Sequence, residues 1–376
     1  MRLCLPACLA AACLAGACAS SAPTPPAGLV ATEHRVRVTS IAPAIAGQEV
    51  QIYLRELAPG ATVARGARPV VVFVHGSGTP AEVSFDSRRP DYSWLAAVAQ
   101  AGFDVFAVDM TGYGRSTRPA AMADACNVAR QEQARFVPGV IPAPCEPSQA
   151  TAITTMGSDW KDIDAAVDFV RALRGVERVS FVGWSQGGPR IAGYTALHPE
   201  KVDRIAVLAP AYSRNSASEE PRPLPRIDGS VTVQSRSDFL ANWDRQVGCS
   251  GQYEPAAAKD LFDEMLESDP VGAKWGPGVR RAPAVPTWGF NKATVSRVRV
   301  PFLMIAGEHD KQVDPQRVRE LYEDWGGDSK VFVELACSSH NAMWERNRRL
   351  LFQATVDWLR EGKVSGTSQG MLRMGY

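Results

Sequence analysis

The sequence has no excess of charge of either sign. Its 376 residues include 41 Lys and Arg against 40 Asp and Glu, which gives a formal net charge of +1. A surface that follows a nucleic-acid backbone needs clustered, unpaired basic residues, so this balance argues against nucleic acid as a partner. Hydrophobic residues make up 45% of the chain, which is ordinary for a globular protein and argues against global disorder.

Histidine is scarce, and common cofactor motifs are missing. The chain has five histidines, and its cysteines lack neighbouring histidines at the spacing of a zinc site. Neither a Walker motif nor a dinucleotide fingerprint occurs. Asp159, Asp162 and Asp164 resemble a metal-binding cluster, but acidic residues also favour the first turns of a helix through its dipole. We prefer the helix, with Ser158 as its cap, and predict no metal.

Long apolar runs are confined to the N-terminus. Residues 1–18 place one Arg before a run of Leu, Ala and Cys, which is the layout of a secretory signal peptide. The segment ending at Cys18 resembles a bacterial lipobox, in which this cysteine is acylated, although ordinary cleavage before Ser20 also fits. Residues 19–33 begin as a Ser- and Pro-rich stretch and are interpreted as a flexible tether. We therefore expect export to the cell envelope with a membrane-bound lipid anchor, or to the periplasm or medium.

Four further cysteines follow the N-terminal cluster. Because disulfides persist in oxidising compartments, export makes pairing of these cysteines plausible, and four cysteines allow three pairings. The local option joins Cys126 to Cys145 and leaves Cys249 to pair with Cys337. Four free thiols are the alternative.

Buried strands alternate with helical segments over most of the chain. This pattern predicts an α/β fold with a mostly parallel, doubly wound sheet that follows antiparallel N-terminal strands. We assign the core to residues 34–209 and 298–361, with a Pro-rich insertion at 117–157. The long gap at 210–297 should hold its own structure and is interpreted as a cap, or lid. Residues 362–376 are expected to form a mobile tail.

The strongest local motif is GWSQG at residues 183–187. It follows a buried strand and opens a helix, which is the context of a nucleophile elbow. The turn is so sharp that Gly183 and Gly187 must lack bulky side chains, and it exposes the hydroxyl of Ser185 above the sheet. The Gln186 amide then lies at a helix N-terminus, where it can bind an oxyanion.

A serine nucleophile needs a base and an acid that orients it. Elimination among the five histidines favours His340, which lies in a loop after the last strand of the core. Asp310 follows the fifth parallel strand and is the favoured acid, with Glu308 and Asp314 as alternatives. A second oxyanion donor should come from the HGSG turn at 75–78, where Ser77 is preferred to Gly76. Trp184, His75 and Gly76 are the candidates for the substrate pocket.

Together these motifs resemble the α/β-hydrolase superfamily. The resemblance rests on HGSG, on DMTGYGRS at 109–116, on GWSQGG, on AGEHD at 306–310 and on SSHNAMWE at 338–345. The order serine, aspartate, histidine is that of the superfamily. The resemblance implies a cofactor-free serine hydrolase with a cap, and serine at the elbow disfavours the dehalogenase and epoxide hydrolase reactions.

The function expected from these residues is cleavage of a small-molecule or lipid-like carboxylic ester. An amidase, peptidase, acyltransferase or carbon–carbon bond hydrolase could use the same triad. A non-catalytic surface binding protein and a structural envelope protein are the alternatives from other classes. The sequence leaves the oligomeric state open.

Overall fold

The computed structural model describes residues 24–60, 66, 68–276 and 280–375. The predicted signal peptide, the lipobox and Cys18 lie outside these residues. In the described part of the chain, no helix is both long and apolar enough to cross a bilayer.

A nine-stranded sheet forms the centre of the molecule. The strands, in chain order, are β1 (Leu29–Thr39), β2 (Glu49–Pro59), β3 (Val70–Val74), β4 (Asp104–Asp109), β5 (Val179–Trp184), β6 (Val202–Leu208), β7 (Val231–Gln234), β8 (Arg280–Pro283), β9 (Phe302–Gly307), β10 (Lys330–Leu335) and β11 (Gln369–Met374). Their order in the large sheet is β1-β2-β4-β3-β5-β6-β9-β10-β11, while β7 and β8 form a separate antiparallel pair. Within the large sheet, the pairs β1–β2 and β2–β4 are antiparallel, and the other described pairs are parallel. The predicted α/β-hydrolase fold is therefore confirmed.

Helices cover both faces of the sheet. They are α1 (Ala81–Phe85), α2 (Trp94–Gln100), α3 (Met156–Arg174), α4 (Gly187–Leu197), α5 (Arg236–Asp244), α6 (Pro255–Ser268), α7 (Lys292–Val295), α8 (Pro315–Asp324) and α9 (Arg348–Glu361). Thr155, rather than the predicted Ser158, is the N-cap of α3, and the two residues form a capping box. The helix begins three residues earlier than predicted because the hydroxyl of Thr155 accepts a hydrogen bond from the Ser158 amide and so caps the first turn.

The core strands are buried because both faces of the sheet are covered. Every residue of β3, β4, β5 and β9 is buried, as expected for Val-rich strands in a parallel sheet. Val74 lies opposite Gly183, and Gly307 lies opposite Leu335. The turns that follow these strands therefore meet at one edge of the sheet.

Two predicted boundaries are wrong. The strand β1 begins at Leu29, so the end of the segment interpreted as a tether already belongs to the sheet. Residues 362–376 are not a free tail either, because β11 pairs in parallel with β10. That strand is an edge strand without a fully buried residue, and its alternating side chains carry a weak hydrophobic signal.

The insertion at 117–157 packs against the segment interpreted as a cap. Val128 forms a β-bridge with Val231, and Arg135 Nη2 lies 2.8 Å from Asp238 Oδ2. A small apolar cluster also joins the two segments through Phe136 and Trp275. Two segments that are distant in sequence thus form one layer.

Both predicted disulfides are present. Cys126 pairs with Cys145 inside the first insertion. Cys249 pairs with Cys337 and joins the cap segment to the loop before His340.

Candidate active site

Ser185 lies in a strained turn between β5 and α4. Its φ angle is +56°, a left-handed backbone conformation that residues other than glycine rarely adopt. Its amide donates to the Leu208 carbonyl at 2.9 Å. A Cβ on Gly183 would lie 2.5 Å from Ile191 Cδ1, and one on Gly187 would lie 2.4 Å from the Val74 carbonyl oxygen. The two glycines are therefore required by close packing around the turn.

Asp310 and His340 form a buried hydrogen-bonded pair. His340 Nδ1 lies 2.8 Å from Asp310 Oδ2, and both residues are only 3% exposed. The other carboxylate oxygen accepts from the amides of Gln312 and Val313 at 2.7 and 2.8 Å. These bonds fix the carboxylate, which in turn favours a proton on Nδ1 and leaves Nε2 as the basic nitrogen.

Trp184 connects the serine turn to the histidine loop. Its indole nitrogen donates to the His340 carbonyl at 2.8 Å, and the two ring centroids are 5.4 Å apart. In the described part of the chain, the Ser185 hydroxyl has no hydrogen bond to His340. Catalytic hydrogen bonds often tighten only when substrate is bound, so this geometry is compatible with a serine–histidine pair.

The HGSG turn lies directly against Ser185. A Cβ on Gly76 would be 3.0 Å from Ser185 Cβ and 3.1 Å from the Trp184 carbonyl oxygen. The amides of Ser77 and Gln186 have no acceptor among the described residues. Two N–H groups next to a serine are what an oxyanion hole requires.

His75 stabilises this turn through hydrogen bonds of both ring nitrogens. Its Nδ1 lies 2.7 Å from the Gly76 carbonyl oxygen, and its Nε2 accepts from the Met110 amide at 3.1 Å. Burial and the nearby Arg190 guanidinium hold the pKa of His75 well below its ordinary value, so the ring is neutral. Because the side chain is fully buried and both nitrogens are engaged, the predicted role of His75 in the substrate pocket is wrong.

The sequence patterns do not identify Arg190, although it lies three residues after the GWSQG motif. Its guanidinium is fully buried and pairs with Asp159 at 2.6 Å. It also donates to the carbonyls of His75 and Gly76 at 2.8 and 3.1 Å. Asp159 therefore lies in the first turn of α3, as the sequence predicted, but its partner is an arginine that fixes the HGSG turn.

Glu345 is a second residue that the sequence did not identify. Its carboxylate accepts from the Ser339 amide at 2.7 Å, from Trp243 Nε1 at 2.8 Å and from Gln252 Nε2 at 3.1 Å. Burial raises the pKa of Glu345. Since Trp243 and Gln252 belong to the cap segment, the carboxylate binds that segment to the histidine loop, beside the Cys249–Cys337 disulfide.

The alternative acids have other partners. Glu308 pairs with Arg373 at 2.6 Å and accepts from the Cys337 amide. Asp314 accepts from the Gln316 amide at 2.9 Å and caps α8. In the described part of the chain, no group of three or more His, Cys, Asp or Glu side chains is arranged to hold a metal ion.

With this geometry established, comparison with known proteins identifies the family. The model of the α/β-hydrolase fold family matches residues 69–347, and the chain therefore belongs to the α/β-hydrolase family of enzymes. No curated protein sequence matches it significantly.

Solved structures share the fold at low sequence identity. A serine hydrolase from the polyaromatic hydrocarbon-degrading bacterium Cycloclasticus zankles is 12% identical with a TM-score of 0.53, over 88% of this chain and 99% of that one. A monoacylglycerol lipase from Paleococcus ferrophilus is 18% identical with a TM-score of 0.51, over 82% and 98%. An esterase from Thermogutta terrifontis is 14% identical with a TM-score of 0.50, over 87% and 98%.

Proposed function

We propose that this enzyme is a serine hydrolase that cleaves carboxylic esters through an acyl-enzyme intermediate. Ser185 is the nucleophile, His340 the general base and acid, and Asp310 the residue that orients the imidazole. The observation that carries the proposal is the buried bond of 2.8 Å between Asp310 and His340, next to a serine held in a left-handed turn.

Acylation begins when His340 Nε2 takes the hydroxyl proton of Ser185. The serine oxygen attacks the ester carbonyl, and the carbonyl oxygen becomes an oxyanion that the Gln186 and Ser77 amides stabilise. Collapse of this intermediate breaks the bond to the alcohol oxygen, which leaves with the proton from His340. Asp310 stabilises the imidazolium while it exists.

Deacylation repeats these steps with water as the nucleophile. His340 removes a proton from water, and the hydroxide attacks the acyl carbon of the Ser185 ester. The second tetrahedral intermediate releases the carboxylic acid, and His340 returns the proton to Ser185. No group outside the protein, the ester and water is needed for atoms and charge to balance.

The test is Ser185→Ala, assayed with short p-nitrophenyl esters. We expect kcat/KM to fall by about 10⁴-fold or more, while the melting temperature is unchanged. Ser213→Ala is the matched control, because this serine is exposed and belongs to no part of the site. Activity in Ser185→Ala equal to that of the control would rule out the assignment, and product analysis with added alcohols or amines separates hydrolysis from acyl transfer.

We further propose that the enzyme is exported and that Cys18 carries a lipid anchor. The two disulfides support an oxidising compartment. In a bacterial host, metabolic labelling with a palmitate analogue should mark the wild-type protein and not Cys18→Ala. Equal labelling of both proteins, or of neither, would contradict the anchor.

A further inference from the structure

Arg280 is a cap arginine whose side chain reaches the HGSG turn. It lies at the start of β8, and its Nη1 donates to Thr79 Oγ1 at 3.2 Å. A Cβ on Gly78 would lie 2.5 Å from the same nitrogen, so only glycine allows this close approach. The guanidinium therefore packs on the turn that also supplies the proposed oxyanion donor Ser77.

The other contacts of Arg280 are with neutral groups. Nε donates to the amide oxygen of Gln234 at 3.1 Å, and Nη2 donates to the same oxygen. No carboxylate lies within ion-pair distance of Arg280 in the described part of the chain. Of the five N–H donors of a guanidinium, one on Nη1 and one on Nη2 have no acceptor among those residues.

The neighbouring Arg281, in the same strand, is a structural arginine and serves as a comparison. Its Nη2 lies 3.2 Å from Asp269 Oδ1, and its side chain is buried. A buried cation is normally compensated in this way, because its charge is costly to remove from water. Arg280 itself is partly buried, and burial lowers its pKa to about 10, while the charge of Asp269 opposes this shift from beyond ion-pair distance. The guanidinium is therefore charged at neutral pH and has no carboxylate in direct contact among the described residues.

One turn contacts both Arg280 and the proposed nucleophile. Gly76, at one end of the turn, packs against Ser185, while Gly78 and Thr79, at the other end, contact Arg280. Three residues span at most about 10 Å of chain. The stretch of turn between the two contacts is therefore short enough for one small substrate to reach from Ser185 to Arg280.

We propose that Arg280 is a carboxylate-binding subsite, so that the preferred substrates are esters with a second, anionic carboxylate near the scissile bond. One free N–H on each of Nη1 and Nη2 is the number of donors that a planar carboxylate needs for a bidentate pair. This inference rests on the proposed function, since it assigns the substrate class of the same site. The competing explanation is that Arg280 is a structural latch between the cap and the turn.

Matched substrate pairs separate the two explanations. One pair is mono-p-nitrophenyl adipate and its neutral ω-amide, with the charge on the acyl side. The other is 4-carboxyphenyl hexanoate and 4-carbamoylphenyl hexanoate, with the charge on the alcohol side. We expect kcat/KM to favour the carboxylate in at least one pair by about 10- to 100-fold, as for a charge-assisted hydrogen bond. Equal rates within both pairs would overturn the proposal.

Variants of Arg280 test the origin of this preference. Arg280→Gln should lower kcat/KM for the carboxylate about 10-fold or more, mainly through KM, and change the neutral ester less than threefold. Arg280→Lys should recover part of the preference, because it restores the charge without the fork. An equal loss on both esters would identify a latch. Arg281→Gln is the matched control, which should lower the melting temperature and keep the preference.

Binding without turnover keeps the test independent of the proposed chemistry. In Ser185→Ala, calorimetry should detect tighter binding of adipate than of neutral adipamide, and the added change Arg280→Gln should abolish the difference. If wild-type protein cleaves no ester but this difference is present, the proposed function fails and the subsite stands. If esters are cleaved but neither binding nor rate depends on the carboxylate, the subsite is wrong and the hydrolase assignment stands.

Discussion

The core and the cap of this enzyme are built from different kinds of element. In the core, strands such as β3 and β5 are buried on both faces, and their register brings the turns with Ser185 and His340 to one edge. The cap consists of elements such as α5, α6 and the β7–β8 pair, and it is joined to the core by aromatic packing such as Trp243 against Trp344, by ion pairs such as Arg89–Asp260 and by the Cys249–Cys337 disulfide. We therefore expect core substitutions to reduce turnover of every ester, and cap substitutions to change stability or substrate choice.

The largest effect is expected in the core, at Asp310. Asp310→Asn keeps the shape but removes the charge that orients His340, and we expect kcat/KM to fall by about 10³- to 10⁴-fold. Asp314→Asn is the control, since asparagine caps a helix as well as aspartate, and it should retain activity within about threefold. Steady-state kinetics on one ester measures both. A large loss in the control and none in Asp310→Asn would move the acid to residue 314.

A smaller effect is expected at the turn that packs on the serine. The Cβ of Gly76→Ala would press on Ser185 and Trp184, and displacement of the turn by a fraction of an ångström should lower kcat about 10- to 100-fold. Gly139→Ala places the same methyl group in the first insertion, where nothing lies within 4 Å, and should be neutral. If kcat is the same in both variants, the turn does not take part in catalysis.

The residues of the candidate site also show how much the sequence could predict. Ser185, Asp310 and His340 could be proposed from the sequence because each follows a buried strand, and the apolar pattern of such strands is clear. Arg190, Glu345 and Arg280 were missed because their partners are 31 to 201 residues away in the chain. A side chain whose role depends on long-range packing has no local signature.

The same reasoning explains the errors at the edges of the fold. The edge strand β11 alternates exposed and partly exposed residues, so its pattern resembles that of a mobile tail. The packing of the first insertion on the cap depends on contacts such as Val128 with Val231, which composition does not encode. Both disulfides were predictable because four cysteines allow only three pairings, and the local pairing of Cys126 with Cys145 fixes the other.

One disulfide lies inside the first insertion, and the other joins the cap segment to the histidine loop. They close loops of 19 and 88 residues, and chain entropy predicts losses of about 3 and about 4–5 kcal/mol when they are removed. We expect Cys249→Ser with Cys337→Ser to lower the melting temperature more than Cys126→Ser with Cys145→Ser. Only removal of the Cys249–Cys337 disulfide should also reduce esterase activity, because it frees the loop that holds His340. Equal activity losses in the two double variants would show that this disulfide has no special part in holding that loop.

The smallest effect is a pH dependence where cap and core meet. Glu264 of α6 accepts from Ser87 Oγ and the Arg88 amide at 3.1 Å, and burial raises its pKa to about 7. Between pH about 4.5 and about 7, the folded state therefore holds a proton on Glu264 that the unfolded state has lost. The contribution of Glu264 to the free energy of unfolding falls as the pH rises through this range. Glu264→Gln should flatten the stability profile there by on the order of 1 kcal/mol, as measured by thermal unfolding. An unchanged profile would show that Glu264 does not titrate in this window.

The central claim is that Ser185 is an activated nucleophile, and covalent labelling tests it most directly. An alkyl fluorophosphonate, followed by peptide mass spectrometry, should place one phosphonyl group per chain on the peptide that contains Ser185, and none on Ser185→Ala. A wild-type protein that is folded but unlabelled, or labelled on a different serine, would show that Ser185 is not the nucleophile.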